Sequence, residues 1–476
     1  MRESISFSIN EIEYSKKLSE TKSGLVIERG GERYLLINCP VLFEKEKRIL
    51  SKAIIELKKS EFRMKSVSDI YLFLKNFCIE NMILLSKEQR EKILCLIEWE
   101  SIKESILTPL LSDPNLEEIV VNGPKKPIMV YHKTFGWMKT NAEFNDDEKI
   151  KTIINKISWP LGRQISYKSP ILNATLPDGS RINASTTPVA FSGINLTIRK
   201  FEKNPFCPTD LIRMGTVNSS AMALIWLAMN ASCSILICGN TGSGKTTTLN
   251  SLFCFLPDNE RIVVVEETPE ILLPQTHVIK LNAAKQVNID LGDLIDNTFR
   301  MRPDRVIVGE IRTKKEVSAF INTLLSGQAK GSYATFHAEN SFEAIERLKH
   351  LGIEEPSIQS IDLIIVQKRL PVITSNGRYE TRKITEICEI ERTSSGLVPK
   401  KIFDYNYKLQ KLERKNFPKR LSKKVLACTQ YESLNEAILM KKNILEKMDR
   451  TSFFEFFNKT ELLSRSKQVS NVSDDS

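Results

Sequence analysis

The stretch Gly239-Asn-Thr-Gly-Ser-Gly-Lys-Thr246 constrains this chain more than any other. It meets the phosphate-loop spacing G-x-x-x-x-G-K-[ST] at every fixed position. Its flanks agree. Before it, Ser234-Ile-Leu-Ile-Cys238 has the length and apolar character of a buried strand. After it, Thr246 to Phe255 reads as a helix that ends near Pro257. A strand feeding a glycine loop that opens a helix aims backbone N–H groups and the positive helix end at one point, which makes a phosphate site. In such a site Lys245 reaches the β- and γ-phosphates and the Thr246 hydroxyl holds Mg²⁺. The candidate nucleotide-binding residues are Gly239, Asn240, Thr241, Gly242, Ser243, Gly244, Lys245, Thr246 and Thr247.

At 476 residues the chain is too long for one hydrophobic core. Its balance of 41% hydrophobic and 27% charged residues is that of an ordinary soluble protein. The start, Met1-Arg-Glu-Ser-Ile-Ser-Phe7, has no apolar h-region, so no secretory signal is expected. Ala221 to Cys238 is long and uncharged enough to suggest a membrane span. However, Asn230-Ala-Ser232 interrupts it, and its end delivers the phosphate loop, so a buried helix, turn and strand is the better reading. The nine cysteines form no C-x-x-C pair and no metal-type spacing with histidine, which points to a reducing compartment with neither disulfides nor a zinc site. Net charge is +11, and ten Lys or Arg against only Asp404 and Glu413 crowd Lys400 to Lys424. No aromatic-rich RNA signature or major-groove helix accompanies them, so no direct nucleic-acid contact is expected. A solvated or partner-facing basic patch is the expectation, with peripheral membrane contact through Lys400–Lys424 the alternative.

Along the chain, residues 1–106 read as a Gly30-Gly31 hairpin followed by helices, with Ser86-Lys-Glu-Gln89 as a capping box. Residues 107–203 change to mixed strand and helix. There Arg163, Arg181 and Arg199 fall at turns or strand ends. A proline-bounded linker with Asp210 as the N-cap enters a nucleotide domain over 204–430. Residues 431–476 hold an amphipathic helix and a polar tail, expected to be disordered from Ser464.

Within 204–430, Arg261-Ile-Val-Val-Val-Glu266-Glu267 is a buried-type strand with carboxylates at its end, where ligands of open α/β sheets sit. Asp304-Arg-Val-Ile-Val-Gly-Glu310-Ile-Arg312 repeats the pattern, and there Glu310 would orient the attacking water. Gly331-Ser-Tyr-Ala-Thr-Phe-His337 is a further strand, ending in one of only four histidines, and after two nucleotide motifs His337 reads as a γ-phosphate sensor.

In order, Leu110-Leu-Ser-Asp-Pro114, Glu118-Ile-Val-Val-Asn-Gly-Pro124, Leu176-Pro-Asp-Gly-Ser-Arg181, the phosphate loop, Glu266-Glu-Thr-Pro-Glu270, Arg302 to Arg312 and Ala334-Thr-Phe-His-Ala338 resemble the secretion and pilus-assembly ATPase superfamily. The likeness covers about 107–410 and leans to the archaeal-type and tight-adherence-pilus branch. It implies an α/β fold, with a RecA-like P-loop ATPase domain behind an α+β domain and a helical N-terminal segment. It further implies ATP and Mg²⁺, a homo-hexameric ring and a polytopic membrane platform protein as partner. The ring would be cytoplasmic, on the inner face of the cell membrane. Carried over motif by motif, Glu266 and Glu267 are the acidic box, with Glu267 beside Thr246 on the metal. Glu310 is the Walker B glutamate and His337 the histidine box. Two departures stand out: Glu267 replaces the usual Asp, and Gln328 stands where that box often begins with His.

The expectation is an ATP-hydrolysing motor for a type IV pilus-like or archaellum filament, or for type II/IV secretion. The alternatives are a DNA-transfer ATPase of the same superfamily and a nucleotide-dependent scaffold with little turnover. No basic residue soon after the loop suits a transition-state arginine, so Arg181 or Arg199 is expected to act in trans on a neighbour's nucleotide.

Overall fold

The computed structural model describes residues 6–14, 16–59, 66–202, 204–284, 287–327, 329–374, 377–394 and 396–472. Two compact units divide the chain, Met1–Glu202 and Lys203–Ser476.

The first unit is built on one sheet. Its strands before the helices are β1 (Phe7–Ile9), β2 (Lys16–Glu20), β3 (Gly24–Arg29) and β4 (Glu32–Ile37). After the helices come β5 (Leu116–Val121), β6 (Pro127–His132), β7 (Gly136–Phe144), β8 (Ile171–Thr175), β9 (Arg181–Ser185) and β10 (Asn195–Arg199). They join in the order β2-β3-β4-β7-β6-β5-β10-β9-β8, with β1 added on β7. The β3–β4 turn is Gly30-Gly31, both at positive φ, as a two-residue hairpin needs. Ser86 accepts from the Gln89 amide and Gln89 accepts from the Ser86 amide, so the capping box forms.

No break falls at residue 106. Parallel pairing of β4 with β7, Tyr34 opposite Lys139, ties the N-terminal hairpin into the same sheet as the later strands. One apolar cluster, from Val26 and Leu50 through Ile97 to Leu196, serves both parts.

The second unit also has one sheet. Its strands are β11 (Ile235–Cys238), β12 (Ile262–Glu266), β13 (Val278–Asn282), β14 (Arg305–Ile311), β15 (Gly331–Phe336), β16 (Leu363–Thr374), β17 (Gly377–Thr393), β18 (Gly396–Asn406) and β19 (Lys411–Arg414). The order is β13-β12-β14-β15-β11-β16-β17-β18-β19. β13 to β16 of that order run parallel, and β16 to β19 form an antiparallel meander. The inner strands β11, β12 and β14 carry apolar runs because both faces are covered, whereas the edge strand β13 is half-exposed. Topology puts β15 between the loop strand β11 and β14, so the carboxyl ends of all four central strands open on one edge.

The uncharged stretch resolves as a buried helix, Ser219–Asn230, a turn with Ser232 at φ 56, and β11. No described helix is long and apolar enough to cross a membrane. Two expectations are corrected. Asp210 is not the N-cap of its helix; Pro208 occupies the first turn of Pro208–Arg213, so Cys207 caps it and the Asp210 carboxylate accepts the Cys207 amide. The C-terminal residues form two helices, Leu434–Lys447 and Phe453–Val472, the second running into the stretch expected to be disordered. Leu434, Ile438, Phe453, Phe456 and Phe457 belong to the core of the second unit. The basic Lys400–Lys424 stretch is partly neutralised at home. Lys400, Lys401 and Lys415 pair with nearby acids, and Arg420 and Lys424 both pair with the buried Asp362.

Candidate active site

The loop leaves β11 at Gly239, whose φ is 154 and where an added Cβ would stand 2.2 Å from the Gln367 carbonyl oxygen. Only glycine fits that approach. The helix Lys245–Leu252 follows at once. Lys245 is 92% buried, 8% exposed, and its Nζ donates back to the carbonyls of Gly239, at 2.8 Å, and Asn240, at 3.3 Å. Burial pulls this ammonium below its ordinary value, against the opposing charge of Glu310. The Ser243 Oγ is fully buried and finds no partner among the described residues. A curled lysine and an orphaned hydroxyl in a nest of glycines form a cradle shaped for an anion. Thr241 and Thr247 are exposed and Thr246 half-buried at its rim.

Three adjacent strand ends face the loop. β14 delivers Glu310 and β15 delivers His337, whose Nε2 lies 2.5 Å from Glu310 Oε1. Burial first, then the charge of Lys245, hold the His337 imidazole below its ordinary range, while Glu310 pulls the other way. Arg312 grips the other side of Glu310, its Nε donating to Oε2 at 2.8 Å, and also donates from Nη1 to Glu267 Oε2 at 3.2 Å. Thr335 Oγ1 donates to the Gly309 carbonyl at 2.6 Å, tying the ends of β14 and β15 together.

β12 delivers Glu266, which behaves differently from Glu267. Its Oε1 accepts the amides of Glu270, at 2.8 Å, and Ile271, at 3.0 Å, and it is 3% exposed. Burial raises its carboxyl to about 7, with those two amides opposing. Gly309 makes room for it, since a Cβ there would press on Glu266 Cγ at 3.2 Å.

Lys245, Glu310, His337 and Glu267 are therefore brought to one edge of the second unit, and Glu266 supports the turn beside them. Arg181 and Arg199 belong to the first unit, where they stand directly opposite each other on β9 and β10. Gln328 lies outside the described residues. Among the described residues no cluster of three His, Cys, Asp or Glu could hold a metal by itself. A threonine hydroxyl with one carboxylate, as Thr246 and Glu267 would provide, fits Mg²⁺ taken up with substrate phosphates, because that ion keeps most of its shell as water and phosphate oxygen.

Sequence reasoning missed three arginines. Arg312 was in plain view, two residues beyond Glu310, and its fork onto both acids gives it a reason. Arg369 and Arg382 come from the β16–β17 hairpin. Arg382 Nε donates to the Gly242 carbonyl at 3.1 Å, and Arg369 Nη1 lies 3.5 Å from where a Cβ on Gly242 would stand. They lie more than a hundred residues after the loop, and only the parallel pairing of β11 with β16 brings them back to it.

A family model described as "Type II/IV secretion system protein" matches residues 100–424. An uncharacterized protein of Methanocaldococcus jannaschii is 32% identical over 397 residues, covering 81% of this chain and 71% of that protein. The type IV secretion system protein VirB11 of Bartonella henselae is 30% identical over 334 residues, covering 59% of this chain and 90% of its own. Among solved structures, the pilus retraction motor PilT with bound ADP aligns at 16% identity over 72% of this chain and 93% of its own, with a TM-score of 0.44.

Proposed function

The chain belongs to the type II/IV secretion system protein family, a family of ATPases with a RecA-like P-loop domain, and from that premise we propose that it is an ATP-hydrolysing motor. It would work as a homo-hexameric ring, drawn from the cytoplasm to a polytopic membrane protein, and drive assembly of a pilus-like or archaellum filament or protein secretion. The observation that carries the catalytic part is the grouping of Glu310, His337 and Arg312 at strand ends facing a phosphate cradle.

Roles follow from the contacts. Lys245 leaves the Gly239 and Asn240 carbonyls and takes the β- and γ-phosphates, exchanging two neutral acceptors for a polyanion. Thr246 and Glu267 would hold Mg²⁺, which when bound neutralises charge on the phosphate oxygens. Glu310 orients the attacking water. Its two oxygens are held by His337 and Arg312, which fixes the carboxylate plane and leaves further lone pairs to accept from the water. His337, held neutral, can donate from Nε2 to either acceptor, which suits a sensor of that phosphate. Glu266 fixes the turn that carries Glu267.

Nucleotide binding and steady-state hydrolysis test this together. Lys245→Ala is expected to lose ATP and ADP binding. Glu310→Gln should bind both and turn over at least about 100-fold more slowly. His337→Ala should lose most of its turnover while ADP affinity stays within about threefold, about 0.7 kcal/mol. A Glu310→Gln protein with unchanged turnover would remove Glu310 from its role, and a wild-type protein that binds ATP but never hydrolyses it would make the chain a nucleotide-dependent scaffold.

A further inference from the structure

Resting on the ATPase reading, we propose that Arg369 and Arg382 form a second, same-chain cationic wall of the nucleotide site, which positions the phosphate loop through Gly242 and adds its charge to the binding of the triphosphate. Nothing in the phosphate-loop motif asks for these residues.

The β16–β17 hairpin is built to reach the loop. Register slips between Val366 and Gln367, where Val366 faces Glu386 but Gln367 faces Ile384. The shift falls at the point where the hairpin passes the loop, and bulges commonly re-aim side chains. Beyond it, Gln367 lies beneath the loop, accepting the Thr248 hydroxyl on Oε1 at 2.6 Å, with both residues buried. Two residues further on, Arg369 stands directly opposite Arg382. Both are exposed and lie against Gly242.

Two features point to an anion. Like charges directly opposite on neighbouring strands repel, and here Lys368 opposite Lys383 repeats the pairing one step away. The Lys368 and Lys383 pair lies on the other face, with Lys383 Nζ donating to the Gly215 carbonyl at 2.6 Å. On the arginine face, Glu380 Oε2 lies 3.5 Å from Arg369 Nη1. Arg382 uses its Nε on Gly242, and a guanidinium carries four further N–H donors. Such a pair beside an anion cradle is stabilised when a polyphosphate fills it. The same contact also links loop and hairpin, so the state of the nucleotide is felt along β16 and β17.

The test is made on the full chain with Arg369→Met, Arg382→Met and the double variant, which keep side-chain length but remove charge, alongside Arg382→Lys. The probes are Mg-ATP turnover and binding of a fluorescent ADP. Wild-type protein that fails to bind ADP would undo the ATPase reading itself. With wild type active, the expected result is a KM for ATP and a Kd for ADP raised at least about tenfold in the double variant. Its kcat should stay within about threefold, thermal midpoint should be unchanged, and Arg382→Lys should recover part of the affinity. Adenosine, which carries no phosphate, should bind the wild type and the double variant equally. Unchanged KM and Kd, a fall in kcat alone, or a lowered thermal midpoint with activity per folded protein intact would each overturn the assignment. The first denies a phosphate contact, the second makes the pair transition-state arginines, and the third makes them structural.

Discussion

A single carboxylate, Glu266, shows how burial alters a residue that the sequence marks only as an acid at a strand end. With its carboxyl raised to about 7 by burial, the folded protein holds this proton more tightly than the unfolded chain does. A raised acid stabilises the fold fully below the ordinary carboxylate range and loses that contribution as pH rises through about 7. The span corresponds to about 3 kcal/mol. Glu266→Gln should therefore flatten the dependence. In urea unfolding of nucleotide-free protein at pH 5 and pH 8, the wild type should weaken between the two by about 2–3 kcal/mol more than the variant. Equal slopes would mean that Glu266 is ionised throughout. The motif text located Glu266, Glu267, Glu310 and His337 because each is fixed by its own strand and the residue beside it. It could not show that Gly309 leaves a space into which Glu266 leans, since that depends on two strands meeting side by side.

Elements are held in place by a different kind of contact, and β14 is the clearest case. Arg305, at its first position, is 1% exposed and forks onto Glu260, Nε to Oε2 at 2.6 Å and Nη2 to Oε1 at 3.1 Å. Its Nη1 donates to the Tyr333 hydroxyl on β15 at 2.9 Å. One guanidinium thus joins the turn before β12, the start of β14 and the middle of β15, at the end of the sheet away from the carboxyl-end cluster. Removing one member leaves the other buried and uncompensated, so Glu260→Ala should cost about 3–5 kcal/mol of unfolding free energy. Glu260→Leu with Arg305→Met, which buries no charge, should cost less than Glu260→Ala alone. A single-variant loss under about 1 kcal/mol would show that water screens the pair. Arg305 stood inside a recognisable motif, Arg302 to Arg312, yet nothing in the motif distinguishes a buried strut from a surface charge. The helix cap of Ser86 with Gln89 was legible, because a cap is a contact across three residues. The Arg369–Arg382 pair was not, because its position follows from β16 crossing to the far side of β11.

At the scale of the whole molecule, the open question is which arginine stabilises charge in the transition state. Arg312, Arg369 and Arg382 lie in the same unit as the loop, while Arg181 and Arg199 lie opposite each other in the first unit, the latter also facing Glu118 on β5. Two arginines in register on neighbouring strands can offer two guanidinium groups to one phosphate. In a homo-hexameric ring, the reading proposed here, such a pair can serve the next subunit's nucleotide, and each active site then needs two chains. Complementation decides it. Arg181→Ala/Arg199→Ala protein and Glu310→Gln protein should each be inactive alone. Mixed before ring assembly with ATP analogue, then exchanged into ATP, they should recover part of the wild-type turnover, because some interfaces join an intact arginine pair to an intact glutamate. Recovery should peak near equal proportions, where such interfaces are most frequent. Mixed rings that form yet stay inactive at every ratio would place the charge-stabilising arginine in the same chain as the loop, with Arg312 the first to examine. Protein that remains monomeric with bound ATP analogue would remove the ring, and the trans arginine with it.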